Sequence, residues 1–200
     1  MDTPIHEETY NSHTIKIYHD TDAENPRDWD NLGTLVCGHP RYQLGDNHRF
    51  IGGREFLLDL LDLGENCGLD VDQLLSRAEK IAIILPVYLY DHSGLVMNTT
   101  GFHCPWDSGQ IGFIYVTCAD VRAEYSVNRV SPQLRNKVAG VLRQEVQTYS
   151  DYVSGAVYGY VIEDDGEEVE SCWGFIGAYE SYCLKEARDS VPRSEALSVF

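Results

Sequence analysis

Apolar and polar positions alternate over His13-Thr14-Ile15-Lys16-Ile17-Tyr18-His19, the period of a half-buried strand. Thr34 to Cys37 predicts a second, shorter strand, closed by Gly38 and Pro40. From Arg54 to Leu63 the period lengthens: Phe56, Leu57, Leu60, Leu61 and Leu63 share a helical face. Val71 to Ala78 continues that pattern after the Gly64–Gly68 break, so a helical hairpin is expected. Ile81 to Tyr90 is apolar apart from its tyrosines and reads as a strand buried on both faces. Ile111 to Cys118 repeats it, after the turn Asp91-His92-Ser93-Gly94 and a loop from Asn98 to Gln110. Consecutive strands usually pair, which brings that loop to the mouth of the first strand and His92 and Cys104 into one region.

Ser131-Pro132 predicts a helix start, because serine caps and proline loses nothing at the first helical position. The helix should run towards Tyr152 with Leu134, Val138, Val141, Leu142, Val146 and Tyr149 on one face, and stop at Gly155. Ala156–Glu163 and Val169–Ile176 predict two strands joined at Asp164-Asp165-Gly166, whose Asp-Gly pair suits a type I′ turn. A last helix is expected over 178–188. Residues 1–12 read as a flexible lead, 13–188 as one domain and 189–200 as a loose tail. Neither a βαβ rhythm nor a glycine-rich phosphate loop occurs. The class expected is α+β, with helices packed on an antiparallel or mixed sheet.

Charge narrows the partners. Fifteen Lys and Arg face 32 Asp and Glu, a net −17. Such a field repels nucleic acid and anionic membrane and attracts basic proteins and cations, so neither direct nucleic-acid binding nor membrane contact is expected. The first eight residues lack the basic and apolar regions of a signal peptide. The longest apolar run is half the about twenty residues a bilayer needs. A cytoplasmic protein is expected, its six cysteines (none in a CxxC) reduced and mostly buried.

Three groups of residues could carry chemistry. Asp91, His92, His103, Cys104 and Asp107 supply a thiol, a base and an orienting carboxylate around one loop. Neighbouring side chains on an extended segment diverge, so His92 rather than His103 would serve Cys104. Cys37, His39, His103 and Cys104 offer a weak zinc set without the usual ligand spacing. Glu163, Asp164, Asp165, Glu167, Glu168 and Glu170, with Asp20, Asp22, Asp28 and Asp30, could form one acidic partner-binding face, even one that copies the phosphates of DNA. Asp20-Thr21-Asp22-Ala23-Glu24 opens like a calcium loop, but Asn25 and Asn31 stand where an EF-hand needs Gly and Glu.

Four words occur together: Arg27-x-Trp29-Asp30-Asn31-x-Gly33, Tyr88-Leu89-Tyr90-Asp91-His92-Ser93-Gly94, Cys104-Pro105-Trp106-Asp107-Ser108-Gly109-Gln110-x-Gly112 and Cys172-Trp173-Gly174-Phe175. The set resembles a family of proteins encoded by bacteriophages and other mobile elements, over about Thr14 to Arg188. That family carries no established activity, so the resemblance transfers no functional residue. It implies an accessory protein at work in the cytoplasm of a bacterial or archaeal host. The function expected is binding to a host protein with a basic surface, without a cofactor. The alternative is a small thiol- or metal-dependent hydrolase centred on 91–107.

Overall fold

A computed structural model describes residues 3–50 and 52–192. Its elements mix helices with two four-stranded antiparallel sheets, the expected α+β class. The chain divides into two compact units. One holds residues 3–25 and 151–192, and the other is Pro26–Ser150.

In the first unit the sheet order is β1 (His6–Tyr10), β2 (His13–His19), β7 (Val157–Asp164), β8 (Glu167–Ile176). The segment expected to be a flexible lead therefore supplies an edge strand. Asn11 and Ser12, at φ 47° and 69°, close a tight hairpin that pairs Tyr10 with His13. Arg188 then grips Glu8 through two 2.7 Å hydrogen bonds. The alternation in β2 works as expected: Ile15 and Ile17 pack with Tyr160, Ile162 and Phe175 against Cys183, Leu184 and Ala187 of α5 (Cys183–Ser190). This helix starts five residues later than expected. Val191, within the expected loose tail, is buried against the same cluster, and residues 193–200 of that tail lie outside the described residues. The β7–β8 turn is type I′ as expected, with Asp165 and Gly166 both at positive φ.

On the other face of this sheet the Trp173 ring lies over Gly159, where a Cβ would meet ring carbons at 2.2 and 2.4 Å. Tyr18 flanks the ring at 6.2 Å. Gly159→Ala should push the indole off the strand, lowering stability by about 1–3 kcal/mol. It should also shift the Trp173 fluorescence towards that of solvent-exposed indole. An unchanged melting temperature and spectrum would refute this packing.

The second unit orders its sheet β3 (Thr34–Cys37), β6 (Ser108–Thr117), β4 (Ala82–Asp91), β5 (Leu95–Asn98). The expected helical hairpin is α1 (Gly53–Leu60) and α2 (Val71–Ile81). Asp70 and Gln73 form a reciprocal cap at the start of α2. Phe56, Leu57, Leu58, Leu74 and Ala78 from these helices pack with Val36, Ile84 and Phe113 of the sheet. Two elements differ from expectation. Leu95–Asn98 is a strand, turned back on β4 by Ser93 (φ 61°) and Gly94. Cys118–Glu124 is α3 rather than the end of a strand, because Thr117 Oγ1 caps it by accepting the Asp120 N–H. Ser131 Oγ accepts from the Leu134 N–H and starts α4 (Pro132–Val153) where expected, with Val138, Leu142, Val146 and Tyr149 buried.

The Arg27 word is structural. The Arg27 side chain is 3% exposed, bidentate on Asp46 at 2.8 Å, and donates to Glu145 of α4 and to the Gly33 carbonyl. Glu145 also accepts the Leu32 and Gly33 N–H groups, and Asp46 accepts that of Leu35. Asn31 bridges the Pro26 and Trp29 carbonyls. Together these residues fasten the chain entering β3 to α4.

Candidate functional site

The loop after β5 returns to the mouth of β4, as expected. The Asp91 N–H donates to the Asp107 carbonyl at 2.8 Å, and Tyr90 meets Phe102 with ring centroids 5.6 Å apart. That arrangement gathers the residues around Asp107. Its Oδ2 accepts from the Cys104 thiol at 3.4 Å and lies 3.7 Å from His92 Nδ1. Cys104 and His92 thus meet the same carboxylate oxygen, and His103 is exposed on the same loop. A thiol nucleophile needs the imidazole beside the sulfur and the carboxylate behind it, whereas the hydrogen-bond partner of the Cys104 thiol here is the Asp107 carboxylate. Ser108 Oγ is occupied by the Cys104 carbonyl.

Beside this cluster lies a cleft of about 320 Å³ lined by His39, Arg41, Asp91, Trp106, Asp107 and apolar residues of β4 and β6. Arg41 reaches across it to Asp91 Oδ2, and Trp106 is 91% exposed at its rim. In the sequence Trp106 stands out only within the Cys104–Gly112 word, and Arg41 carries no signal because its partner is fifty residues away. No local spacing signals such a pair.

The weak zinc set is not assembled. Among the described residues, no three or more His, Cys, Asp or Glu side chains are grouped to hold a metal. Cys37 points into the core of β3, where burial pushes its thiol up to about 12. His48 fills the place beside it. Its Nε2 lies 2.9 Å from the Cys37 carbonyl oxygen and 3.2 Å from the Cys37 N, while Nδ1 accepts from the Phe50 N–H.

All six cysteines are free, but only Cys37 and Cys183 are buried, which corrects the expectation that most would be. Cys183 is likewise pushed up to about 12 by burial, whereas Cys172 is exposed on β8. Reaction with a disulfide reagent at pH 8 should therefore modify Cys172 first and spare Cys37 and Cys183 until the chain unfolds. Mass spectrometry of the modified sites checks the order; early labelling of Cys37 or Cys183 would contradict it.

Within the first unit the acidic residues lie at two ends of the sheet. Glu163 is bound by Lys16 through two 2.7 Å contacts. Asp164, Asp165, Glu167, Glu168 and Glu170 are exposed on the hairpin, and among the described residues no cation pairs with them. Asp20 sits at the opposite end of this sheet, about 23 Å along β7 at roughly 3.3 Å per residue. Its carboxylate accepts the Asp22 and Gly174 N–H groups. Asp28 and Asp30 belong to the other unit.

Comparisons of the chain with protein-family models, with curated proteins and with solved structures found no match. Among the described residues no helix is long and apolar enough to cross a membrane.

Proposed function

We propose that the protein is a non-catalytic binding protein, an accessory factor of the bacteriophage type, which engages a basic surface on a host protein through the β7–β8 hairpin. One observation carries this reading: five carboxylates, with no paired cation among the described residues, project from a two-strand tip whose sheet is held together by other residues. A thiol hydrolase at 91–107 has less support, since the Cys104 thiol donates to the Asp107 carboxylate and, among the described residues, no hydrogen bond joins it to His92. Proteins that carry basic surfaces include those whose own ligand is polyanionic, so the partner class is a nucleic-acid-handling or defence enzyme. To such a partner the hairpin would act as a local mimic of DNA.

The test begins with affinity capture from host lysate and continues with association kinetics across a salt series. Replacing Glu167, Glu168 and Glu170 together by Gln should slow association by about three- to tenfold at low salt and flatten its salt dependence. The melting temperature should stay the same, since the three side chains are exposed. Equal rates and equal salt slopes in the two proteins would remove the electrostatic mechanism.

A further inference from the structure

We propose that the cleft at the β4–β6 end of the second unit is a binding site for a guanidinium group, an arginine side chain presented by a partner. The proposal deepens the reading of a basic partner but uses none of the hairpin residues, so the two can fail separately.

Three features of the cleft select this chemistry. Two carboxylates, Asp91 and Asp107, line it together with the Trp106 indole, and an anionic group next to an aromatic face is how a guanidinium is recognised. The cleft already holds a guanidinium of its own, because Arg41 lies on Asp91 although its side chain is 66% exposed. Asp107 has capacity left: its Oδ2 takes the Cys104 thiol and faces His92, while among the described residues its Oδ1 makes no hydrogen bond. The side chain of Asp107 is 39% exposed, so an incoming group can reach it.

The backbone that carries the two carboxylates is fixed before a ligand arrives. Tyr90 pairs with Ser108 in the β4–β6 ladder, and the Asp91 N–H is bound to the Asp107 carbonyl. A planar guanidinium can lie against the indole and direct paired N–H groups at a carboxylate, which a point-charge ammonium cannot do. An anionic ligand would face both carboxylates in a chain of net charge −17. In the free protein Arg41 is an internal competitor, and a partner's arginine would share or displace its hold on Asp91.

The test uses the full chain, labelled with nitrogen-15. Its three indole N–H signals belong to Trp29, Trp106 and Trp173, and the signal lost in Trp106→Phe is that of Trp106. The probes are N-acetyl-arginine amide, the lysine analogue, and the citrulline analogue, which keeps the shape of arginine without its charge. Each is titrated to tens of millimolar at constant ionic strength. The arginine probe should move the Trp106 indole signal and the Gly109 amide, the lysine probe should bind more weakly, and the citrulline probe should move neither. Arg41→Ala should tighten arginine binding about fivefold by freeing Asp91, and Asp107→Asn should weaken it about tenfold. Trp106→Ala should weaken it about three- to fivefold, read at Gly109. Unmoved signals elsewhere in each variant's spectrum verify that the fold is intact.

Binding of citrulline or lysine as tight as that of arginine would overturn the proposal. So would an unmoved Trp106 signal in Arg41→Ala, or an affinity that Arg41→Ala leaves unchanged. If the cleft fails these tests while the hairpin variant still slows partner association, the reading of a basic partner stands without it.

Discussion

Gly112→Ala is expected to leave little folded protein. Gly112 lies in β6, opposite Cys37 of β3 and Val87 of β4. A Cβ there would stand 1.8 Å from the Val36 carbonyl oxygen and 2.9 Å from the Cys37 Cα. Both obstacles are backbone, so no rotamer change relieves them and β3 must move away from β6. The damage would reach the core, because Val36 and Phe113 belong to the same buried cluster as Phe56 and Leu74. A loss on the order of 4 kcal/mol or more is expected, a large part of the 5–15 kcal/mol that stabilises a typical domain. Gly109→Ala, three residues earlier, is the control. Nothing lies within 4 Å of a Cβ at that position, and its effect should stay within about 0.5 kcal/mol. Thermal unfolding of the two variants measures the contrast. Similar melting temperatures would mean that β3 does not approach β6 as described.

The second large effect is expected at Arg27. Removing its guanidinium by Arg27→Met leaves Asp46 and Glu145 facing each other across a site with little solvent. Breaking a buried ion pair in this way costs about 3–5 kcal/mol, and the partial exposure of Asp46 places this case at the lower end. The pH dependence gives a second readout. Burial raises the Glu145 carboxyl above its ordinary 4.5, and this outweighs the lowering by the Leu32 N–H and by Arg27. A group raised on folding contributes stability that is full below its unfolded value and lost as pH rises through its folded value. Stability should therefore decline across that interval in the wild type and decline more steeply in Arg27→Met, where one lowering influence is gone. Glu145→Gln should abolish that part of the slope and recover some of the loss when combined with Arg27→Met. Urea unfolding at several pH values tests this. Equal slopes in wild type and Arg27→Met would show that the arginine does not hold Glu145.

What could be read in the sequence follows the range of the forces involved. β2, β3 and the start of α4 were legible because alternation and a Ser-Pro cap act within a few residues. The β7–β8 turn was legible for the same reason. β1 was not, since His6–Tyr10 has no buried apolar face. Its order comes from pairing with β2 and from Arg188, 180 residues away. At the candidate site, the gathering of His92, Cys104 and Asp107 followed from pairing the strands around one loop. Which atoms meet did not, because the approach of Asp107 to both Cys104 and His92 depends on how the loop folds. Arg41 was invisible for the reason that Arg27 was only a word: its partner is brought by the fold. The division of the acidic residues was hidden too. Asn25-Pro26 lies inside one continuous acidic loop, yet the two compact units meet there along the chain.

The first unit is built from both ends of the chain, and this sets an order of events during synthesis. β2 cannot gain its neighbour β7 until about 140 further residues have left the ribosome, for Lys16 and Glu163 stand 147 positions apart. Pro26–Ser150 is contiguous and can settle its sheet while the remainder is still being made. In the meantime the β1–β2 hairpin exposes Ile15 and Ile17 without the strand and helix that later bury them. A two-stranded hairpin alone is only marginally stable in water. A truncation before residue 157 would therefore leave a contiguous central unit preceded by a sticky, unpaired hairpin, a species for chaperones and proteases to find.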